Sequence, residues 1–334
     1  MKIKGKILTV LLASLLVSII CRGQEGDTLL VMFWNMENFF DYIDGGEGES
    51  DRDFSSFGSR RWTKSRFQTK CDAVAKSFYW ISDRYGRLPD IVGLSEIENS
   101  NVLYSLLNQT SLKKAGYNFI HFEGRDSRGI DVAFLYRKAV MKKEAMTRKI
   151  PVLHGEEAPA EGDTLRTRDI LHVRMKTGQK SLDFIVNHHP SKYGGEKASM
   201  PGRMAAMCTL AKLCDSLLTD SPENSGGLVV MGDFNDTPDS APFSLLDDIL
   251  VNKGRELHAM GKGSIRYEGR WELIDMFMLT PDLAERSDMD IVRIPFLMVK
   301  DSRHTGEKPF RTYSGPKYIG GVSDHCPIIL HIFL

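Results

Sequence analysis

The stretch Gly226–Asp236 reads Gly-Gly-Leu-Val-Val-Met-Gly-Asp-Phe-Asn-Asp. Its apolar centre, Leu228–Met231, is typical of a strand buried on both faces. Asp233 and Asn235 follow two positions apart, and that spacing places side chains on one side of an extended backbone. Gly, Asp and Asn are also ordinary turn residues, so the stretch alone is compatible with a simple strand-to-turn connection. Because α/β proteins place ligand sites beyond the ends of buried strands, it equally predicts a functional strand end.

The same arrangement recurs elsewhere, and this favours the functional interpretation. The apolar run Thr28–Trp34 ends in Asn35 and Glu37, which are again two positions apart. The run Ile91–Leu94 is followed closely by Glu96. Each of these polar ends could be a loop start when taken singly. Their repetition predicts that acids and amides converge at one edge of a sheet.

Two further runs add histidines and a carboxylate inside a strand. Leu182–Val186 leads into His188 beside a glycine-rich turn, and Asp275 lies within the apolar run Leu273–Leu279. A carboxylate in such a run costs several kcal/mol, roughly 2–7, unless it is paired. We expect His325 to be that partner.

Length and composition describe an ordinary globular protein. The chain has 334 residues, of which 42% are hydrophobic and 26% are charged, so it can bury a large core. The net charge is zero, and no overall field attracts a polyanion. This weakens a nucleic-acid substrate without excluding one. The polar turn Glu123–Gly129 contains Arg125 and Arg128, which could meet an anionic ligand, although such turns are more often merely solvated.

The first residues form a targeting segment in this interpretation. Lysines precede the apolar run Ile7–Ile20, which has the length of a secretory signal core and is too short to span a bilayer. We therefore predict a signal peptide over residues 1–23, a mature start at Gln24 and export to the periplasm or the cell exterior. A lipoprotein attached through Cys21 is the alternative, and an uncleaved anchor is the third possibility.

The rest of the chain, residues 24–334, contains no repeat or break in composition and is predicted to form a single domain. Helical periodicity predicts helices over Thr63–Tyr85, Asn101–Ala115 and Arg203–Leu218, with the cations of the first on its solvated face. Asp41–Phe57 reads as a surface loop rich in Gly, Ser and Asp. Strands and helices are interleaved, and several short strands are expected to be antiparallel.

Together these motifs resemble the endonuclease/exonuclease/phosphatase superfamily, which includes deoxyribonuclease I-like and exonuclease III-like metal-dependent phosphoesterases. Gly232–Asn235 (Gly-Asp-Phe-Asn) and Ser323–Pro327 (Ser-Asp-His-Cys-Pro) carry most of the resemblance, with Asn35 and Glu96 in the family order. The resemblance implies an α/β (α+β) fold, a four-layer α/β sandwich in which two mixed sheets pack face to face with helices outside.

The resemblance also implies a divalent-cation site. Glu96 would be the principal ligand of Mg²⁺ or Mn²⁺, hard cations that prefer oxygen donors. Asn35, Glu37 and Asp324 would lie beside it, although some family members have an aspartate at the position of Glu37. Whether one or two ions bind is left open.

The resemblance implies catalytic roles for five residues, namely His188, Asp233, Asn235, Asp275 and His325. Asp233 would orient or deprotonate the attacking water, and Asn235 would hold a non-bridging phosphate oxygen. His325 would contact the phosphoryl oxygen or act as the base, oriented by Asp275. His188 lies where nucleases of the family place a phosphate-contacting residue. This set supplies charge neutralisation, water activation and leaving-oxygen stabilisation for P–O cleavage.

We therefore expect an exported Mg²⁺-dependent phosphoester hydrolase, a phosphodiesterase or endonuclease using in-line water attack. A phosphatase or phosphodiesterase acting on lipid headgroups or inositol-type phosphates is the alternative, and a binding protein without catalysis is a remote one. The expected partner is a phosphate ester, with nucleic acid among the candidates, and we expect a monomer without a stable membrane span. A Ser-His-Asp acyl hydrolase is disfavoured because the sequence has no G-x-S-x-G motif.

Overall fold

The structure, a computed structural model, describes residues 28–46, 48–152, 165–220 and 225–334. The expected signal peptide over residues 1–23 and the expected start at Gln24 lie outside these ranges. Within them, no helix combines the length and the apolar character needed to cross a membrane.

Two large mixed sheets form the centre of the described structure. The first sheet contains β1 (Thr28–Phe39), β2 (Ile91–Ile97), β3 (Tyr117–His121), β4 (Asp131–Arg137), β13 (Ser287–Ile291) and β18 (Ile328–Phe333). The second contains β5 (Lys142–Ile150), β6 (Ile170–Thr177), β7 (Lys180–His188), β8 (Ser225–Asp233), β9 (Val251–Asn252) and β12 (Asp275–Leu279). Their strand orders are β13-β18-β1-β2-β4-β3 and β5-β6-β7-β8-β12-β9. Only β1–β2 and β7–β8 pair in parallel in these sheets as described.

Helices and three small hairpins complete the described part. The helices are α1 (Lys64–Tyr85), α2 (Ser100–Asn108), α3 (Glu196–Thr219), α4 (Gly254–Ala259) and α5 (Pro281–Glu285). The hairpins pair β10 (Ile265–Tyr267) with β11 (Arg270–Glu272), β14 (Met298–Lys300) with β15 (Glu307–Pro309), and β16 (Tyr313–Ser314) with β17 (Lys317–Tyr318).

The alternation of side chains along β1 shows how the layers stack. Leu29, Val31 and Phe33 face a core shared by both sheets. The intervening residues face a second core that α1 and α2 cover. On β8 the same alternation divides the side chains between the shared core and a third core under α3. The two mixed sheets therefore pack face to face with helices outside, which confirms the predicted sandwich.

All three predicted helices form, but some of their ends differ from the predicted ones. α1 begins after Thr63, whose side chain accepts a hydrogen bond from the Arg66 N–H group. α2 ends earlier than predicted, and a short 3₁₀ turn over Ser111–Lys114 follows it. α3 begins at Glu196, seven residues before the predicted start at Arg203. The Arg203 guanidinium donates to the Glu196 carbonyl and to Ser199 Oγ, and these bonds stabilise the added turns.

The segment Asp41–Phe57 forms a loop with many exposed residues, as its composition predicts, but part of it is buried. Asp51 and Phe54 are buried, although Phe57 is exposed. The Phe54 ring stacks on Phe40 with a centroid distance of 4.7 Å. A single aromatic residue that inserts into the core without any periodicity gives no pattern that could reveal this packing.

The sheet registers bring the polar strand ends together. Asp233 at the end of β8 lies opposite Asp275 on β12 and beside His188 on β7. Asn35 on β1 lies beside Ser95, the residue before Glu96 on β2. These ends form one edge of the two packed sheets and line one cleft there.

Candidate active site

The backbone leaves the extended conformation at the polar strand ends. Glu37, Glu96 and Asn235 have φ values of 46°, 60° and 52°, in the left-handed region that residues other than glycine rarely occupy. The Glu37 N–H group donates to Asn35 Oδ1, and the Asn235 N–H group donates to Asp233 Oδ1, each at 2.9 Å. Side chains therefore stop alternating between the two faces of the sheet at Asn35 and Asp233. The prediction from the sequence continues this alternation for two more residues on each strand.

Asp233 lies at the centre of the cleft. Its Oδ2 accepts a hydrogen bond from Asn35 Nδ2 at 3.0 Å and lies 3.7 Å from His188 Nε2 and 3.9 Å from His325 Nε2. Burial, reinforced by the nearby Asp275 carboxylate, raises the pKa of Asp233 to about 7. This carboxyl can therefore exchange a proton near neutral pH.

His325 and Asp275 form a close pair. His325 Nδ1 lies 2.7 Å from Asp275 Oδ2, and the His325 N–H group donates to Ser323 Oγ. Burial alone would lower the pKa of His325, but the carboxylates of Asp275, Asp233 and Asp324 raise it well above its usual value. The imidazole is thus held as a cation whose Nε2 faces Asp233 across the cleft.

His188 has the opposite electrostatic environment. Burial and the guanidinium groups of Arg168 and Arg128 lower its pKa well below the usual value, so its ring is neutral. The neighbouring His189 packs its ring against Phe234 at a centroid distance of 5.0 Å. Its carbonyl accepts hydrogen bonds from Arg168 Nη2 and from Asn235 Nδ2 at 2.7 and 3.0 Å.

Glu96 presents one carboxylate oxygen to protein and one to the cleft. Oε2 accepts a hydrogen bond from the Asn38 N–H group at 2.6 Å, and Oε1 lies 3.4 Å from Arg128 Nη2 and 3.9 Å from His188 Nε2. Burial would raise the pKa of Glu96, but Arg128 and the Asn38 N–H group outweigh it and hold the pKa below its usual value. Glu96 is therefore ionised.

Glu37 and Asp324 are joined through a cation of the chain itself. Arg311 Nε donates to Glu37 Oε1 at 3.0 Å, and Arg311 Nη2 donates to Asp324 Oδ2 at 2.8 Å. The second Glu37 oxygen accepts the Thr312 N–H group at 2.7 Å. Burial and the Asp324 carboxylate raise the pKa of Glu37 to about 7, against the effect of Arg311. Glu37 is thus bound on both oxygens by protein donors.

Three cations at the site were missed by the sequence interpretation. Lys70 was placed on the solvated face of α1, but it is only 2% exposed, and its Nζ donates to the Glu37 carbonyl at 2.7 Å. Burial lowers its pKa to about 8. The signal was available, because Lys70 lies between Phe67 and Cys71 on the buried face. Arg168 and Arg311 gave no signal, since neither follows an apolar run.

Among the described residues, one set of three ligand-bearing side chains lies close enough together to hold a divalent cation. Ligand atoms of Asp233, Asp275 and His325 lie within 4.8 Å of one another. In that grouping, however, the raised pKa of His325 keeps a proton on each ring nitrogen, and an imidazolium cannot bind a cation until it loses one of them. Glu96 instead offers an ionised oxygen that faces the cleft, and Asn35 and Asp324 line the same cleft of about 400 Å³. Glu96 is therefore the oxygen donor of this cleft whose charge suits a hard cation.

A sequence model of the endonuclease/exonuclease/phosphatase family matches residues 30–333, nearly all of the described chain. The chain belongs to this family. Members of the family hydrolyse phosphoesters, and the recognition made from the strand-end motifs is thereby confirmed. No curated protein sequence matches the chain.

Solved structures of the family share the fold at low sequence identity. TDP2 from Caenorhabditis elegans is 13% identical with a TM-score of 0.58, and the match covers 93% of this chain and 77% of that one. A mannosyl-6-phosphatase from Bacteroides thetaiotaomicron is 14% identical with a TM-score of 0.57, covering 92% and 100%. Danio rerio TDP2 complexed with a single-stranded DNA product is 16% identical with a TM-score of 0.53, covering 91% and 98%. At these identities the likeness extends to the fold alone.

Proposed function

We propose that the protein is a divalent-metal-dependent phosphoester hydrolase that cleaves a P–O bond by in-line attack of water. The observation that carries this proposal is the pair of Asp233 and His325, whose Oδ2 and Nε2 atoms lie 3.9 Å apart and whose pKa values are both raised. Such a pair places a proton acceptor and a positively charged donor next to each other, so that both can act on one phosphoryl group.

Each group has a role that follows from its surroundings. Asp233 accepts the proton of the attacking water while Asn35 Nδ2 holds its Oδ2 in place. His325 donates from Nε2 to a phosphoryl oxygen, and Asp275 fixes the ring through Nδ1. The neutral His188 and the amide of Asn235 contact the remaining phosphoryl oxygens without adding charge.

Glu96, with Asn35 and Asp324 beside it, would hold the cation, for which Mg²⁺ or Mn²⁺ suits the oxygen donors. When bound, such an ion neutralises charge on the phosphoryl oxygens and stabilises the leaving oxygen. Arg128 contributes positive charge at the same place, since it lies against Glu96 at 3.4 Å.

The charges around the cleft support a compact phosphate ester as the substrate. Besides His325, four arginine and lysine side chains line it, and each has a carboxylate oxygen within 3.8 Å: Arg128, Arg266, Lys308 and Arg311. Paired cations form no continuous basic track for a long polyanion. A small phosphomonoester or phosphodiester therefore fits better than the long nucleic acid that an endonuclease would cleave.

Single-stranded nucleic acid is the second candidate. Tyr267 lines the cleft and is 59% exposed, so its ring could stack on a base. A phosphate ester on a lipid headgroup or an inositol ring belongs to the compact class. We also propose that the protein is exported, on the lysines and the apolar run Ile7–Ile20, with lipid attachment at Cys21 as the alternative.

A substrate panel tests the proposal, with the Asp233→Asn variant as the inactive control. It contains p-nitrophenyl phosphate and its bis ester, mannose 6-phosphate, inositol phosphates, sphingomyelin, RNA, and single-stranded and plasmid DNA, each with Mg²⁺. We expect the highest kcat/KM for a small ester, with little dependence on salt. A preference for DNA or RNA that weakens steeply with salt would favour the second candidate. No hydrolysis of any ester would favour a binding protein.

A further inference from the structure

A cluster of cationic side chains lies beside the active-site cleft. It is formed by the residues just before α1, by the first turn of α1 and by the hairpin of β16 and β17. We call this cluster the basic face, and its members are Arg60, Arg61, Lys64, Arg66 and Lys317. The hairpin begins at Tyr313, two residues after Arg311 of the cleft, and Arg60 Nη1 donates to its Gly315 carbonyl at 2.6 Å. The basic face therefore borders one wall of the cleft.

The cations of the basic face lack the acidic partners that the cations of the cleft have. None of the five forms an ion pair with a carboxylate of the described residues, whereas Arg128 and Arg311 each form one. Asp53, an acid of the same loop, accepts a hydrogen bond from Ser59 Oγ at 2.8 Å. Like charges held close together repel one another unless an anion lies among them. On a chain with zero net charge, this local excess favours an anionic partner.

Aromatic rings hold two of the guanidinium groups in place. The Arg60 Cζ atom lies 5.6 and 5.4 Å from the ring centroids of Phe54 and Tyr313. The Arg66 Cζ atom lies 4.3 Å from the ring centroid of Tyr318, and Arg66 Nη1 donates to the Arg60 carbonyl at 3.1 Å. A stacked guanidinium keeps its full charge, and it loses little further freedom when it meets an anion. The basic face is thus preorganised for binding.

Phe57 adds an apolar group to the same surface. Its side chain is 98% exposed, although hydrogen bonds fix the backbone around it. The Ser56 N–H group donates to the Tyr42 carbonyl at 3.1 Å, and the Arg61 N–H group donates to the Gly58 carbonyl at 3.0 Å. A single exposed ring is common on protein surfaces. A ring held rigidly in solvent beside unpaired cations is a different arrangement, typical of proteins that bind at the interface of a membrane.

We propose that the basic face and Phe57 bind the surface of an anionic lipid membrane. The cations would meet the headgroup phosphates, and the phenyl ring would insert at the boundary between headgroups and acyl chains. Single-stranded nucleic acid is the other partner that cations and a ring could bind, but it needs rings for successive bases and free cations along its path. Within the described part, the exposed ring of this surface is Phe57, and the arginines and the lysine of the cleft are paired. A membrane therefore fits better.

Binding of the full chain to lipid vesicles provides the test. Vesicles of phosphatidylcholine alone are compared with vesicles of equal parts phosphatidylcholine and phosphatidylglycerol, at low and at high salt. The N-terminal apolar run would bind to both kinds of vesicle, so the quantity measured is the ratio of the two affinities. We expect a preference of at least about 100-fold for the anionic vesicles, because five cations act together. High salt should largely remove it, since the charges are exposed and are screened.

Substitutions at exposed positions assign the preference to this surface. Lys64→Gln combined with Lys317→Gln should lower it by about 25-fold, because each cation near an anionic surface contributes about fivefold. Phe57→Ser should weaken binding to the anionic vesicles by at least about tenfold, since the apolar ring is lost. Lys138→Gln combined with Lys180→Gln is the matched control. It makes an equal charge change at exposed positions, at the ends of β4 and β7 that lie away from the cleft, and should keep the preference.

Two results would overturn the proposal. One is equal affinity for the two kinds of vesicle, and the other is a preference that survives both the double lysine change and Phe57→Ser. Single-stranded DNA or RNA that binds more tightly than anionic vesicles, and loses affinity in the same variants, would assign the basic face to nucleic acid instead. Membrane binding does not depend on the proposed hydrolysis. The Asp233→Asn variant should therefore bind vesicles as the unmodified protein does, whether or not any ester is cleaved.

Discussion

Replacing Asp275 by asparagine tests how much the charge of its carboxylate contributes to the action of His325. The amide has the same size as the carboxylate, and its oxygen can still accept the Nδ1–H group of His325 across the observed 2.7 Å. What is lost is the charge of the bond. A hydrogen bond to a charged group contributes about 1.5–3 kcal/mol and a neutral one about 0.5–1.5 kcal/mol. The difference of roughly 1–2 kcal/mol predicts a kcat lower by about 5- to 30-fold.

Removing the imidazole itself should have the larger effect. His325→Ala eliminates the donor to the phosphoryl oxygen, and we expect kcat to fall at least about 100-fold, as is usual for the loss of an acid–base group. The pH dependence of kcat gives a second expected result, which is a shift in a definite direction. The carboxylate of Asp275 is the main influence that raises the pKa of His325, so Asp275→Asn lowers that pKa. The imidazolium is then lost at a lower pH, and the alkaline limb of kcat should shift to lower pH.

Steady-state kinetics on the best substrate of the panel, with Mg²⁺ titrated at each pH, measure both quantities. Both variants should leave the Mg²⁺ dependence nearly unchanged. A tenfold weaker Mg²⁺ affinity in Asp275→Asn would refute the reasoning, because it would place the ion among Asp233, Asp275 and His325. If His325→Ala keeps most of its rate on every ester, the proposed active site is wrong, and the binding protein becomes the better interpretation.

Chelation with excess EDTA should abolish hydrolysis, and added Mg²⁺ or Mn²⁺ should restore it. Full turnover in EDTA would contradict the proposed dependence on a divalent cation. Glu96→Gln should weaken metal affinity and recover part of its rate at high Mg²⁺; a rate that is low and insensitive to Mg²⁺ would contradict its role as the principal ligand. Intact mass of the native protein should show a start at Gln24, or a lipid-bearing Cys21, and an unprocessed Met1 would exclude both. Asp183→Asn should lower the free energy of unfolding by about 3 kcal/mol or more, measured by denaturant titration, because Asp183 accepts two hydrogen bonds from Arg174 at 2.8 Å inside the second sheet. Despite burial, its partners hold the pKa of Asp183 below the usual value. The stability from this pair is therefore present above the pKa of the unfolded state and is lost as the pH falls through the pKa of the folded state. Equal stability of the variant and the unmodified protein at pH 7 would contradict the assignment.

The central strands were predictable because they are local and strongly apolar, whereas the sandwich itself was implied by the family resemblance. Leu228–Met231 and Thr28–Trp34 have no polar interruption, and both form central strands that are buried on two faces. The pairing of Asp275 was predictable for the same reason, since a carboxylate in an apolar strand requires a partner. Each of these predictions needs only the residues of one segment, and the prediction for Asp275 also uses the general cost of burying an unpaired carboxylate.

The cations of the site were less accessible because they depend on contacts between distant segments. Arg311 reaches Glu37 across 274 positions of the sequence, and its own neighbourhood has no apolar run that would mark it. The placement of Lys70 was wrong for a different reason. Whether a side chain at the edge of a helix's apolar face is buried depends on the group that packs against it. For Lys70 that group is the Glu37 carbonyl, which accepts a hydrogen bond from its Nζ. The sequence therefore predicted the acids of the site and missed most of the cations that balance them.

The strained backbone supports a functional interpretation of these strand ends. Among the described residues, six other than glycine have positive φ, and four of them line the active-site cleft: Glu37, Asn38, Glu96 and Asn235. Each costs about 1–3 kcal/mol and persists only where surrounding contacts fix it. Here the contacts are hydrogen bonds made by the site itself, from Glu37 to Asn35, from Asn38 to Glu96 and from Asn235 to Asp233. A fold that needed only to end its strands could use glycine at these positions without that cost. The cost of placing carboxylate and amide side chains at these positions therefore supports the proposed roles of the residues in the cleft.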